Sequence, residues 1–161
     1  MTLEQKDVLI TEVNKLHERN ELSKTVEADY FEPGMMEYLS ESDGIYDTEL
    51  GQFILRFEVK GTRYDGRTEL IENVKIGDEI TVFRDSGNKF NNNNFCILDR
   101  KNRNLGNVPA ELSNAIAPIY DIGELVFKDS FVSYVEPLSK RSRHAKQAVL
   151  YVQLEMILNV L

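Results

Sequence analysis

The chain has 161 residues, 42% of them hydrophobic and 29% charged, so it can bury one hydrophobic core but is too short for two full-sized domains. Its apolar runs, such as residues 156–161, are far shorter than the roughly 20 residues of a membrane-spanning helix. The N-terminus carries acids where a secretory signal carries bases, and the single cysteine, Cys96, closes no internal disulfide. We therefore expect a cytoplasmic protein that does not contact a membrane.

Most of the net charge of −8 lies at the front of the chain. Residues 1–50 hold 13 acidic and 4 basic residues, whereas residues 51–161 hold 14 acidic and 15 basic residues. This asymmetry predicts an acidic N-terminal extension, residues 1–50, on a near-neutral domain, residues 51–161. The extension either shields a basic surface of that domain or is simply a solvated surface.

Two patterns are visible within the extension. Apolar residues recur at helical spacing over residues 3–19, which predicts an amphipathic helix. Residues 20–50 place aromatic residues and methionines among acids around a Pro-Gly pair, which indicates an extended segment, a turn and a short helix.

From residue 52 onwards the hydrophobic period changes from the helical value to two. Alternating or short apolar segments predict strands over residues 53–60, 79–84, 95–98, 104–108, 124–135 and 148–158. A helix over residues 110–120 begins after Pro109, with apolar residues on one face. Five or six strands, few helices and no βαβ alternation predict a mostly β fold, a small β-barrel or α+β module.

The residues that carry enzyme chemistry are scarce. The glycines form no phosphate-binding loop, no GxSxG elbow is present, and Cys96, His17 and His144 are too scattered for a zinc site. Cys96 lies in an apolar stretch and is expected to be a buried structural thiol. The sequence therefore predicts a protein that is not an enzyme, with no catalytic residues, cofactor or metal. The alternative that the residues leave open is a Mg²⁺ or Ca²⁺ ion bound by carboxylates alone.

One pair of segments has the character of a binding site. Residues 61–66, Gly-Thr-Arg-Tyr-Asp-Gly, place Arg63 and Tyr64 where a strand enters a turn. Residues 88–94, Asn-Lys-Phe-Asn-Asn-Asn-Asn, add Phe90 and several amides. An aromatic ring beside a cation suits an unstacked base and its phosphate, with stacking contributing roughly 1–3 kcal/mol per base. Alternatively, Tyr64 merely packs on its turn and the asparagines form an ordinary loop.

A basic run, residues 140–146, precedes the last strand. Its cations either contact phosphates or keep the tip of a hairpin soluble.

The order of these parts resembles the HIRAN domain over about residues 53–158. The family is found as stand-alone bacterial proteins and at the N-terminus of Swi/Snf-type DNA-repair translocases. The resemblance rests on the 61–66 segment, the run Ile-Gly-Asp-Glu-Ile-Thr-Val-Phe-Arg-Asp at residues 76–85, the asparagine segment, and Leu-Gly-Asn-Val-Pro at residues 105–109 before the helix.

The resemblance implies an OB-like antiparallel β-barrel that binds single-stranded DNA and, in the repair enzymes, captures the 3′-hydroxyl end. It implies a site formed by Arg63, Tyr64, Asn88, Phe90 and Asn91, with Tyr64 stacking on a base and Phe90 lining the same pocket. The family usually has Asn-Pro-aromatic-Asp where this chain has Asn-Lys-Phe-Asn at residues 88–91. The amide of Asn91 still accepts a hydrogen bond from a terminal hydroxyl, but without the charge of the family's Asp.

The leading hypothesis is thus a module that binds single-stranded DNA or DNA 3′ ends, linked to DNA repair or to the processing of damaged or stalled DNA. The alternative is a protein–protein interaction module that uses the acidic residues 1–50 as its adhesive surface. A small hydrolase is a third hypothesis, for which the sequence provides no acid, base or metal site.

Overall fold

A computed structural model describes residues 4, 5, 7–9, 11, 12, 44–47 and 52–158. Seven strands and two α-helices are described between residues 44 and 158, together with a 3₁₀ turn at Leu138–Lys140. In chain order they are β1 (Gly44–Asp47), β2 (Gln52–Glu58), α1 (Arg67–Ile71), β3 (Thr81–Arg84), β4 (Phe95–Leu98), β5 (Asn104–Asn107), α2 (Ala110–Asp121), β6 (Leu125–Glu136) and β7 (Val149–Leu158).

The strands form two antiparallel sheets. The larger sheet has the order β1-β2-β7-β6, and the smaller sheet has the order β3-β4-β5. Each neighbouring pair is antiparallel, and β6 carries two register shifts against β7, which allow this long strand to bend.

Two isolated bridges join the sheets at opposite sides. Lys60, just beyond β2, pairs with Asn107 of β5, and Glu79, just before β3, pairs with Phe131 of β6. The two sheets therefore surround one core in an OB-like arrangement. Within the described residues they are joined at these single bridges and do not form one continuous hydrogen-bonded barrel.

The period of two predicts the buried faces correctly. Leu55, Phe57 and Val59 of the β2 segment are at most 3% exposed. On β7 the side chains of Leu150, Val152, Leu154 and Met156 are fully buried. These two strands pair along seven positions, so their apolar faces form the centre of the core.

Helix α2 covers one side of this core. It begins after Pro109, whose fixed φ of −51° suits the start of a helix, and its buried face includes Leu112, Ile116 and Ile119. Behind its C-terminal end, Tyr120 packs against Phe95 and Phe127 with ring centroids 5.3 and 4.9 Å away. The predicted helix over residues 110–120 is confirmed. Helix α1 was not predicted.

Parts of the N-terminal segment pack with the domain. Residues 4, 5, 7–9, 11 and 12 are helical, Leu9 is fully buried in the core cluster, and β1 pairs with β2 in the larger sheet. The rest of the predicted 3–19 helix, and most of residues 20–50, lie outside the described residues. The division of the chain at residue 50 stays a prediction.

Within the described residues, no helix is both long enough and apolar enough to cross a membrane.

Candidate functional site

An open groove of about 570 Å³ lies between the asparagine-rich loop, residues 85–94, and the first turn of α2. The loop contributes Asn88, Phe90 and Asn91, and the facing side includes Lys60, Asn107 and Glu111. Three of the five predicted site residues therefore line one groove.

Hydrogen bonds within the loop fix its shape. The side-chain oxygen of Asn88 accepts hydrogen bonds from the backbone N–H groups of Phe90 and Asn91, at 2.9 and 3.0 Å, which is an Asx turn. The amide nitrogen of Asn88 donates to Asp85, and Asn94 donates both to Asp85 and to Asn107 on β5. Asn88 is thus a support of the loop as well as a lining residue.

Phe90 is held at the tip of this loop with 98% of its surface exposed. Such a large apolar side chain contributes nothing to the core, and its exposure is costly in water. The Asx turn directly beneath it fixes its backbone, so the ring is presented to the solvent beside the groove.

Asn91 uses its amide within the protein. Its nitrogen donates to the side-chain oxygen of Asn114 on α2 at 3.0 Å, and its oxygen accepts from the backbone N–H of Asn93 at 3.0 Å. An amide oxygen has two acceptor positions, so one remains for a ligand.

Arg84, at the end of β3, stabilises the same loop through hydrogen bonds to its backbone. Its guanidinium donates to the backbone oxygens of Asn92 and Asn94 at 2.7 and 3.1 Å and forms two parallel hydrogen bonds, each 3.0 Å, with the carboxylate of Asp121. The hydrogen bond from Arg84 lowers the pKa of Asp121. A charged side chain therefore ties the loop to the C-terminal end of α2.

The second predicted segment, residues 61–66, forms a tight turn beyond β2. Tyr64 is 54% exposed, and the guanidinium carbon of Arg63 lies 5.0 Å from the centre of its ring. This distance is typical of a cation–π contact. Within the described residues, no salt bridge or hydrogen bond is found for the Arg63 guanidinium.

Gly61 lies where the turn meets the groove. Its φ is +74°, and a Cβ atom there would lie 3.3 Å from the amide nitrogen of Asn107 and 3.9 Å from the Tyr64 ring. Tyr64 therefore lies beside the groove that Asn107 lines, although neither Arg63 nor Tyr64 belongs to the groove wall. The structure brings the two predicted segments to adjoining positions and not into one enclosed pocket.

Arg67, in the first turn of α1, stabilises the 61–66 turn. Its side chain is 11% exposed and donates to the backbone oxygen of Gly61 at 3.0 Å, with Asp65 at 3.7 Å. Sequence reasoning missed both Arg67 and Arg84, because their partners are identified only once the fold is known. Sequence reasoning also missed Lys60 and Asn107 as residues that line the groove. The signal in the sequence is the glycine next to each of them, Gly61 and Gly106, both of which have a positive φ in the structure.

The groove has a mixed electrostatic character. Lys60, Arg63 and Lys89 supply exposed positive charge around it. Among the residues that the structure describes, no side chain caps the N-terminus of α2, where the first N–H groups carry partial positive charge. Glu111, in the first turn of that helix, also lines the groove and opposes this charge.

The described residues contain no group of three or more His, Cys, Asp or Glu placed to hold a metal ion. Cys96 is 5% exposed, and burial raises the pKa of its thiol, as expected of a structural thiol.

An OB-like fold with exposed aromatic rings and amides on braced loops is the arrangement of a binding module. The model of the HIRAN domain family matches residues 52–154, and the chain belongs to this family. The HIRAN domain is a DNA-binding module and not a catalytic one, so membership supports nucleic-acid binding.

Two solved structures resemble the chain. The HIRAN domain of human HLTF is 20% identical, with a TM-score of 0.46 over 63% of this chain and 74% of that one. A protein from Lactobacillus plantarum is 18% identical, with a TM-score of 0.51 over 66% of this chain and 99% of that one. The second likeness supports the fold alone. No curated protein matches the chain.

Proposed function

We propose that this HIRAN protein binds single-stranded DNA, including free 3′ ends, across the groove and the adjoining 61–66 turn, without catalysing a reaction. The observation that carries the proposal is the pair of exposed rings, Tyr64 at 54% and Phe90 at 98%, on two hydrogen-bonded loops beside one polar groove. Exposed rings held in this way are stacking platforms for bases.

Each predicted site residue has a physical role in this proposal. Tyr64 and Phe90 stack on bases, and Arg63, next to Tyr64, binds a phosphate with guanidinium donors that have no hydrogen-bond or salt-bridge partner among the described residues. Asn88 acts mainly by keeping Phe90 in place through the Asx turn. The amides along the groove accept and donate hydrogen bonds to base edges.

Asn91 bears on the preference for an end. One lone pair of its oxygen remains for a 3′-hydroxyl, since the other accepts from Asn93. The bond is neutral, so it is weaker than a bond to a carboxylate. We therefore propose that the protein binds free 3′ ends only modestly more tightly than the interior of a DNA strand. A role in the repair or processing of damaged DNA would depend on this preference for ends.

Fluorescence anisotropy tests the proposal with short single-stranded DNA carrying a free or a phosphate-blocked 3′ end. Wild type is compared with Tyr64→Ala and Phe90→Ala, and Phe83→Ala is the matched control, because Phe83 is a 53% exposed phenylalanine on β3 that does not line the groove. Loss of one stacking ring is expected to weaken binding by roughly 5- to 150-fold, from about 1–3 kcal/mol per base.

Equal losses in Phe83→Ala and Phe90→Ala would contradict the assignment of the groove. Binding that survives 3′ blocking but not Tyr64→Ala would mean strand stacking without end capture. The absence of binding by wild type would refute the DNA proposal.

In that last case the alternative is a protein partner that binds the acidic residues 1–50, whose charge of −9 suits a basic surface. Deletion of residues 1–50 is a poor test, because it removes β1 and the buried Leu9. Neutralising exposed acids in this segment, such as Glu4 and Asp7, preserves both and tests the partner directly.

A further inference from the structure

The loop between β6 and β7 is the most basic segment of the chain. Residues 140–146, here called the basic loop, read Lys-Arg-Ser-Arg-His-Ala-Lys, and no acidic residue occurs between Glu136 and Glu155. Positive charge concentrated in one place attracts anions and raises their local concentration, so an anionic partner is the chemistry that this segment suits.

Not all of these cations are available to a partner. Arg141 donates to the backbone oxygen of Gln147 at 2.6 Å and lies 3.5 Å from the carboxylate of Glu136, so it braces the loop from within. Lys140 lines a separate hollow that also contains Glu72.

Arg143 and Lys146 are different. Both are exposed, and neither forms a salt bridge within the part of the chain that the structure describes. The Nε of Arg143 donates a long hydrogen bond, 3.5 Å, to Nε2 of the neighbouring His144, and its two terminal nitrogens have no hydrogen-bond partner among those residues. The turn that carries them is closed by a hydrogen bond from the N–H of Ala145 to the oxygen of Ser142, at 2.8 Å. Two cations are thus held on a shaped loop.

The chain just after the basic loop is hydrogen-bonded to the turn that carries Arg63 and Tyr64. The hydroxyl of Thr62 donates to the backbone oxygen of Ala148 at 3.1 Å, and Thr62 is only 1% exposed. Lys146 precedes Ala148 by two residues, and Arg63 follows Thr62. Since consecutive Cα atoms are about 3.8 Å apart, the Cα atoms of Arg63 and Lys146 lie within about 20 Å of each other.

We propose that Arg143 and Lys146 bind phosphates of the same DNA strand, beyond the nucleotides held at Tyr64 and in the groove. This inference rests on the proposed function, because it extends that site along the strand. Two anionic partners are candidates, a strand of DNA and the acidic N-terminal segment of the chain itself. We favour DNA because the basic loop carries charge of one sign, is continuous with the 61–66 turn, and is braced from within by Arg141.

The test compares a thymidine trinucleotide, which supplies bases for Tyr64 and Phe90, with a thymidine decamer, which also reaches the basic loop. Decamer binding is measured by anisotropy at several stated salt concentrations, and trinucleotide binding by competition. The variant is Arg143→Gln with Lys146→Gln. The matched control is Lys101→Gln with Lys128→Gln, so that both double variants lose two positive charges. Both lysines are exposed; Lys101 lies in the turn between β4 and β5, and Lys128 lies on β6.

The variant is expected to bind the trinucleotide within about twofold of wild type and to bind the decamer about 25-fold more weakly at 0.1 M salt. The log–log salt slope should fall by about 1.4, since each phosphate contact contributes about 0.7 for single strands. The control pair should leave the slope unchanged.

Each other outcome is decisive. If wild type binds neither oligonucleotide, the proposed function fails and this inference fails with it. If wild type binds both but the variant behaves like the control pair, the basic loop is not part of the site. Stronger decamer binding by the variant would also overturn the inference, because the loop would then hold a competing anion such as the acidic segment.

Discussion

Arg84→Met tests whether the asparagine-rich loop is held in place by a partly buried cation. The substitution keeps most of the aliphatic stem and removes the guanidinium of a side chain that is 16% exposed. Two hydrogen bonds to the backbone oxygens of Asn92 and Asn94 are lost, and Asp121 loses its partner.

The expected cost follows from these contacts. Hydrogen bonds from a charged donor contribute about 1.5–3 kcal/mol each, whereas the pair with Asp121, a side chain that is 49% exposed, adds at most about 1 kcal/mol. Water reaches part of the loop and replaces some of this, so we expect the free energy of unfolding to fall by about 2–4 kcal/mol. DNA binding should weaken as well, because the loop must then be ordered on binding.

Urea denaturation at pH 7 measures the change in stability, and Arg100→Met is the matched control. Arg100 is 72% exposed and its distance to Glu79 is 3.7 Å, so its removal should change stability by less than about 0.5 kcal/mol. Equal effects of the two substitutions would refute the assignment of Arg84 as the support of the loop.

Three further predictions concern other parts of the fold. Gly106→Ala should destabilise the protein by more than about 3 kcal/mol in denaturant, because φ is +148° and the new Cβ would overlap the β2 segment, whereas Gly87→Ala has open space and should change little. The pKa of Asp121 is lowered in the folded state, so its ion pair stabilises the protein above the unfolded pKa of about 3.9 and is lost as pH falls through the folded value. Asp121→Asn should remove that part of the acid sensitivity in urea titrations at pH 3–7. Leu9→Ala should cost about 2–4 kcal/mol by calorimetry and Val8→Ala under about 1, because Leu9 is fully buried and Val8 is 46% exposed; equal effects would mean that the N-terminal segment does not contribute to the core.

The sequence predicts those elements whose signal is local. The alternation in β2 and β7 identifies their buried faces, and Pro109 with the apolar face that follows it locates α2 to within one residue of its observed end. The run Thr81–Arg84 is shorter than the predicted strand, because Glu79 makes only a single bridge to β6.

The remaining features depend on residues that are far apart along the chain. The pair of Arg84 and Asp121 joins positions 37 residues apart, and the hydrogen bond of Thr62 to Ala148 spans 86 residues. No periodicity or motif reports such contacts. The sequence could therefore nominate Tyr64, Phe90 and the asparagines, but it could not show that Tyr64 lies beside the groove and outside its wall.

The hydrogen bonds of Asn91 connect the shape of the loop to what it recognises. A carboxylate at this position could not donate to Asn114, so the contact between the loop and α2 would be lost unless the amide of Asn114 turned round. The amide here keeps that contact and leaves a neutral acceptor in the groove. Arg84 provides the charged hydrogen bonds of the loop from behind, where they hold the backbone and do not face a ligand. Under the proposed function, stacking on Tyr64 and Phe90 should therefore outweigh charge-assisted recognition of a terminal hydroxyl, and the affinity for DNA should depend more on the two rings than on whether the strand ends at the groove.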